Sequence, residues 1–128
     1  MRLLLDTHAL LWFGLADSRL SPAALALIAE PTNEIIISPA SYWEIAIKIR
    51  SNKYHLNQPF QLFFEQVLQA YRFSVLAIEI RHAALLTTLP LHHRDPFDRL
   101  LVAQAMAEGM PLVSADQQLD AYGVQRLW

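Results

Sequence analysis

The 128-residue chain contains no cysteine, which removes disulfide cross-links, thiolate zinc sites and cysteine nucleophiles together. Only three glycines are present and no segment is glycine-rich, so no loop of the phosphate-cradling kind is encoded. Positive charge is scarce as well. Ten Lys and Arg stand against twelve Asp and Glu, for a net charge of −2, so any contact with a polyanion must be local rather than driven by an overall basic field. Long apolar runs are missing too. Leu3-Leu4-Leu5 is cut off by Asp6 and His8, short of a secretion signal's hydrophobic region, and nothing approaches a membrane span. These absences lead us to expect a cytoplasmic chain with no membrane association.

What is abundant is apolar side chain, 54% of residues, enough for one domain over residues 1–128 with a core that needs no staples. Arg2 to Leu5 reads as a strand, with Asp6 at its carboxyl end and a helix from Ala9. Ser21-Pro22 starts a second helix through Ala29, and Ile35-Ile36-Ile37 is a β-branched strand ended by Ser38-Pro39. Phe60 to Tyr71 shows helical spacing of Phe60, Phe63, Phe64, Val67 and Leu68. Phe73 to Ile78 reads as a short strand, Glu79 to Leu89 as a helix before Pro90, and Pro111 to Ser114 as a strand leading to Asp116. A brief helix through Asp120 and a strand from Val124 to Leu127 follow. Alternating strands and helices of this length predict a parallel sheet of four to five strands with helices on both faces.

The densest chemistry lies in Arg94-Asp95-Pro96-Phe97-Asp98-Arg99. Pro96 suits the first position of a helix and Asp95 its N-cap, while Asp98 stands above Leu101, Val102 and Ala105 at the edge of the core face. Capping explains Asp95 fully and leaves Asp98 with a charge that needs a partner. Glu44 is clearer still. With Ser38 as the N-cap it falls in the second turn, beyond any capping position. On that helix Ser41, Glu44 and Lys48 form a polar stripe, and the expectation is that the stripe faces solvent while Tyr42, Trp43, Ile45, Ile47 and Ile49 are covered.

Asp6 and Asp116 follow strands, and Glu44 and Asp98 lie near helix starts, so all four share the edge where open parallel sheets bind ligands. Carboxylates gathered on one rim repel one another unless a cation sits among them, and an all-oxygen set suits Mg²⁺ or Mn²⁺, whose main chemistry is on phosphates. Lys48, Arg94 and Arg99 are the local cations available to hold phosphates. His8 reads as structural, and His92-His93 has no companion zinc ligands in the sequence.

Four blocks carry a family resemblance: Leu4-Leu5-Asp6-Thr7-His8-Ala9-Leu10-Leu11-Trp12, Ser38-Pro39-Ala40-Ser41-Tyr42-Trp43-Glu44-Ile45-Ala46-Ile47-Lys48, His93 through Ala105, and Leu112-Val113-Ser114-Ala115-Asp116. In this order they resemble PIN-domain ribonucleases, within them the VapC-type toxins of type II toxin–antitoxin modules. The resemblance implies a three-layer α/β/α fold and catalytic metal ligands at Asp6, Glu44 and Asp98, with Asp116 as the fourth acidic position. Asp95, Ser114 and Thr7 become supporting or helix-capping groups. It further implies RNA cleavage with Mg²⁺ or Mn²⁺, a homodimer, and inhibition by a cognate antitoxin.

Two other readings compete. A phosphoryl-transfer or receiver-like domain would use Asp6 as phosphoacceptor, but His8 stands where a phosphatase of that kind needs a second aspartate, and Lys53 is the last lysine. A non-catalytic binding module would keep the fold without the chemistry.

Overall fold

The computed structural model describes Met1–Trp128. Five strands form one sheet: β1 (Arg2–Leu5), β2 (Glu34–Ile37), β3 (Ser74–Val75), β4 (Leu112–Val113) and β5 (Arg126–Leu127). Every pairing is parallel and the order is β3-β2-β1-β4-β5. The chain therefore builds outward from β1 through β2 to β3, then returns to the other side of β1 for β4 and β5. The order of strand addition reverses between β1 and β4, and a crevice at the carboxyl ends of those two strands is the expected place for a ligand.

Alternation along the strands splits the core. Leu3, Leu5, Ile35, Ile37 and Val113 face the layer made by α1 (Thr7–Gly14), α2 (Pro22–Ala29), α3 (Pro39–Arg50) and α4 (Phe60–Gln69). Leu4, Ile36 and Leu112 point the other way, onto Leu101, Val102 and Ala105 of α6 (Pro96–Glu108). α5 (Ile80–Leu86) packs beside α6, completing the three layers. The helix starts follow their predicted caps: the Ser21 hydroxyl accepts from the Ala24 N–H, Ser38 from Ala40, and Asp95 from Phe97 and Asp98. Gly109 ends α6 with φ +62°, a left-handed C-cap that suits glycine.

Three expectations need correction. The strands β3, β4 and β5 are each two residues long, shorter than the runs Phe73–Ile78, Pro111–Ser114 and Val124–Leu127, since each keeps only two residues in register with its neighbour. α5 stops at Leu86 rather than Leu89: the Thr87 and Thr88 hydroxyls donate to the carbonyls of Ala84 and Leu85 at 2.7 and 3.5 Å and close the helix end. The segment through Asp120 is a 3₁₀ turn, Gln117–Tyr122.

The larger correction concerns α3: Ile45 lies in the core and Tyr42 and Ile49 pack on it as expected, but the polar stripe is buried and part of the apolar face is not. Ser41 and Glu44 are 0% and 3% exposed, whereas Trp43 and Ile47 are 62% and 45% exposed. Counting apolar residues on the wheel favours burying the wide face, but α3 is wedged between α1 and α6 along its narrow polar stripe. The polar residues are thus turned into the molecule, toward the end of β1.

Candidate metal centre

Asp6 leaves β1 and caps α1. Its backbone is extended at φ −76° and its Oδ1 accepts the Ala9 N–H at 2.7 Å. Burial pushes its carboxyl up from the ordinary range, opposed by the Ser114 hydroxyl and the Ala9 N–H, while the charge of Glu44 adds to the rise. Next to it, the Thr7 hydroxyl donates to Ser41 Oγ at 3.1 Å in a fully buried pair that ties α1 to α3.

Glu44 enters from α3. Lys48, one turn on, binds its Oε2, and the Lys48 ammonium also donates to the Tyr54 hydroxyl at 3.4 Å. Tyr54 in turn meets His8 Nε2 at 2.9 Å, and His8 stacks on Trp12. Glu44 Oε1, by contrast, is buried with no hydrogen-bond partner at all. A lone buried carboxylate oxygen costs free energy unless something fills its lone pairs.

Asp98 enters from α6. It takes no backbone N–H, because Asp95 Oδ1 accepts both the Phe97 and the Asp98 N–H groups, at 2.8 and 3.1 Å. The capping role therefore falls to Asp95 and the outward charge to Asp98. Burial, then the negative charges of Asp95, Asp6 and Glu44, raise the Asp98 carboxyl to about 7, with His93 pulling slightly against them. Asp98 feels the charges of Asp6 and Glu44, and Asp6 that of Glu44, so the three carboxylates face one region at the end of β1.

Asp116 joins them from β4 by a different route. Ser114 Oγ accepts the Asp116 N–H at 3.0 Å, Asp116 Oδ1 caps the 3₁₀ turn at Gln118, and Asp116 Oδ2 lies 2.9 Å from His93 Nε2. The same His93 nitrogen is 3.5 Å from Asp98 Oδ2. His93 was the residue that spacing missed: His92-His93 looked companionless, yet the 87–95 loop carries His93 to two carboxylates 5 and 23 positions further along. No local pattern signals the Asp116 contact, since Asp116 caps the 3₁₀ turn after β4, far from His93 in the chain.

The three basic residues expected to hold phosphates fare differently. Arg99 is occupied as a strut, donating to the carbonyls of Leu89 and Pro90 and to the Tyr122 hydroxyl. Lys48 is committed to Glu44. Arg94 is exposed and makes no ion pair or hydrogen bond. A separate group, Glu79, His82 and Glu108, lies between α5 and α6, but Arg81 already bridges its two carboxylates. The phosphoacceptor alternative finds no support: Asp6 is 4% exposed and one oxygen is spent on a helix cap.

An unpartnered buried carboxylate oxygen, three mutually repelling acids and a purely oxygen donor set all fit a bound divalent cation. No helix of the chain is long and apolar enough to cross a membrane.

Comparison with known proteins agrees with this geometry. The PIN domain family matches residues 3–125. Ribonuclease VapC22 of Mycobacterium tuberculosis is 31% identical over 120 residues, covering 93% of this chain and 90% of that protein. Among solved structures, VapBC2 from Rickettsia felis bound to a DNA fragment from its promoter superposes with a TM-score of 0.72 at 17% identity, covering 99% of this chain and 98% of that one. VapBC-1 from nontypeable Haemophilus influenzae gives 0.67 at 18% identity, with 99% and 97% covered. At these identities the two structures speak for the fold, which they share from end to end. On the family match over residues 3–125 and the 31% identity to VapC22, this chain belongs to the PIN-domain family as a VapC-type member.

Proposed function

We propose that the chain is a metal-dependent endoribonuclease, the toxin of a type II toxin–antitoxin pair, with Asp6, Glu44 and Asp98 as ligands of Mg²⁺ or Mn²⁺ and Asp116 in support. The observation that carries this reading is Glu44 Oε1, a buried carboxylate oxygen with no partner in the protein, on a rim shared with two further acids. A divalent ion held there supplies charge stabilisation for a phosphodiester and a water made nucleophilic near neutral pH.

The protein's own groups do the positioning. Lys48 holds Glu44 Oε2 and so fixes which oxygen is left free. Ala9 and Ser114 orient Asp6, and the Thr7–Ser41 pair locks the helices that present Asp6 and Glu44. Arg94, exposed beside the N-terminus of α6, is the cation free to take a flanking phosphate. RNA as the substrate is supported by the name of the Mycobacterium tuberculosis relative, and an antitoxin partner by the VapBC complexes of the same fold. A homodimer completes the proposed assembly, supported by large apolar side chains left in solvent, among them Trp43 and Ile80.

The test is Glu44→Gln and Asp98→Asn, each matched in size to the residue it replaces. Both variants fold, and both lose Mg²⁺- or Mn²⁺-dependent RNA cleavage by more than about 100-fold, beyond the loss typical of groups one step removed from a metal. RNA cleavage by both variants at the wild-type rate would overturn the site.

A further inference from the structure

Beside the acidic rim, side chains of α1 and the loops around it are stacked into a column. Asp17 grips Arg19 at two points, Nε to Oδ1 at 3.1 Å and Nη2 to Oδ2 at 2.8 Å, and the guanidinium lies 5.1 Å from the centre of the Trp12 ring. His8 stacks on the same indole, with ring centroids 5.2 Å apart and planes 26° from parallel. His8 reads from the sequence as structural, yet its ring is exposed and belongs to neither core cluster. One face rests on Trp12, and Nε2 meets the Tyr54 hydroxyl at 2.9 Å. The exposed area is therefore the opposite face, open to solvent.

Tyr54 reaches His8 through a tight return after α3. Asn52 takes φ +61°, and the Lys53 and Tyr54 N–H groups both donate to the Lys48 carbonyl, at 2.8 and 3.2 Å. The Tyr54 hydroxyl then accepts from the Lys48 ammonium at 3.4 Å, and Lys48 holds Glu44. The imidazole is thus fixed by a chain of contacts that ends on an acid of the candidate centre. His8 also stands two residues after Asp6, in the first turn of α1. Its open face borders the acidic rim.

We propose that His8, backed by Trp12 and Arg19 and held by Tyr54, is a stacking platform for an unpaired base of the RNA whose phosphate lies at the acidic centre. The inference rests on the nuclease reading above and adds the group that grips the substrate's bases. Unstacked bases lie readily on histidine and the other aromatic rings, whereas in a duplex the same faces are covered by neighbouring pairs. Stacking also needs no net positive charge. That suits a chain of net charge −2 whose cations here, Arg19 and Lys48, are taken up by Asp17 and Glu44. Since every base has such a face, the platform selects unpaired strands and not a sequence.

Fluorescence anisotropy in the Asp98→Asn background, where the RNA stays whole, tests this. The probes are a short single-stranded RNA of mixed sequence and an abasic ribose-phosphate strand of the same length and charge. The protein with His8 intact prefers the strand with bases by about 10-fold or more, the effect of one stacked base. His8→Ala loses that preference and binds the abasic strand as before. His8→Phe keeps an aromatic face without the bond to Tyr54 and keeps the preference, which a role confined to holding Tyr54 and Lys48 would not allow. In the protein with His8 intact, the carbon-bound ring hydrogens of His8 shift upfield in NMR spectra with the first strand and not with the abasic one, a reading that needs no variant at this position. A preference that survives in folded His8→Ala, a preference lost in folded His8→Phe, or ring hydrogens that respond alike to both strands each overturn the proposal. Any of these alongside loss of cleavage in Glu44→Gln and Asp98→Asn would remove this inference and leave the nuclease reading standing, whereas a wild-type chain that neither binds nor cuts RNA removes both.

Discussion

Asp98 illustrates how one residue can be explained by its neighbours in two directions. Local chemistry gives it a helix N-terminus, where a carboxylate is favoured, but Asp95 has already taken the N–H groups, and burial with three nearby charges raises Asp98 to about 7. Because the folded-state value lies above the unfolded one, the stability this carboxyl contributes is complete below its ordinary value and is lost as pH rises through about 7. The metal-free protein is therefore expected to lose urea resistance between about pH 5 and about pH 8, and Asp98→Asn to flatten that slope. Asp6 is raised in the same direction and adds to the trend. Mn²⁺ affinity should rise over the same interval, since the ion needs the deprotonated carboxylate, and calorimetric titration at several pH values would measure it.

Asp95 separates the two roles further. Asp95→Ala removes a cap and is expected to cost about 1 kcal/mol in chemical denaturation. Asp95→Asn keeps the capping oxygen but not the charge. It should stay within about 0.5 kcal/mol of wild type while lowering the Asp98 titration point, followed by NMR of the side-chain carboxyl.

At the scale of elements, α3 and α1 show where packing overrides a helical wheel. α3 carries more apolar than polar surface, yet it turns Ser41 and Glu44 inward and leaves Trp43 to meet only the edge of Phe97, with ring centroids 5.6 Å apart. The gain is the Thr7–Ser41 bond and the delivery of Glu44 to the end of β1. α1 reaches its position by a close approach: a Cβ at Gly14 would lie 2.4 Å from the Phe63 ring of α4. Gly14→Ala is accordingly expected to destabilise by about 1–3 kcal/mol, read as a lower thermal midpoint, because Phe63 is 1% exposed and has nowhere to move.

For the molecule as a whole, the site is a meeting point of two halves that are distant in sequence. Asp6 and Glu44 come from the first half of the chain, Asp98 and Asp116 from the last third, and they converge because β4 pairs directly with β1. An ion that binds the folded acidic centre, as proposed, and not the unfolded chain would stabilise by mass action. Mg²⁺ at about a hundred times its dissociation constant should add about 2.7 kcal/mol, seen as a rise in thermal midpoint that Glu44→Gln and Asp98→Asn lack.

The sequence by itself determined the elements and the acids. Serine and aspartate caps before proline, β-branched strand runs and a closing glycine are local devices, so α2, α3 and α6 begin where they are expected, and Asp95 caps α6 as read. A carboxylate beyond the capping positions, as at Glu44, was legible because helix geometry alone leaves it unexplained. Only the tertiary structure decided the strand order, the face that α3 buries, the confinement of Arg99 to the 87–95 loop and the partnership of His93 with Asp98 and Asp116. Each of these depends on contacts between segments far apart in the chain, where the free energy is set by what packs against a residue rather than by the residues beside it.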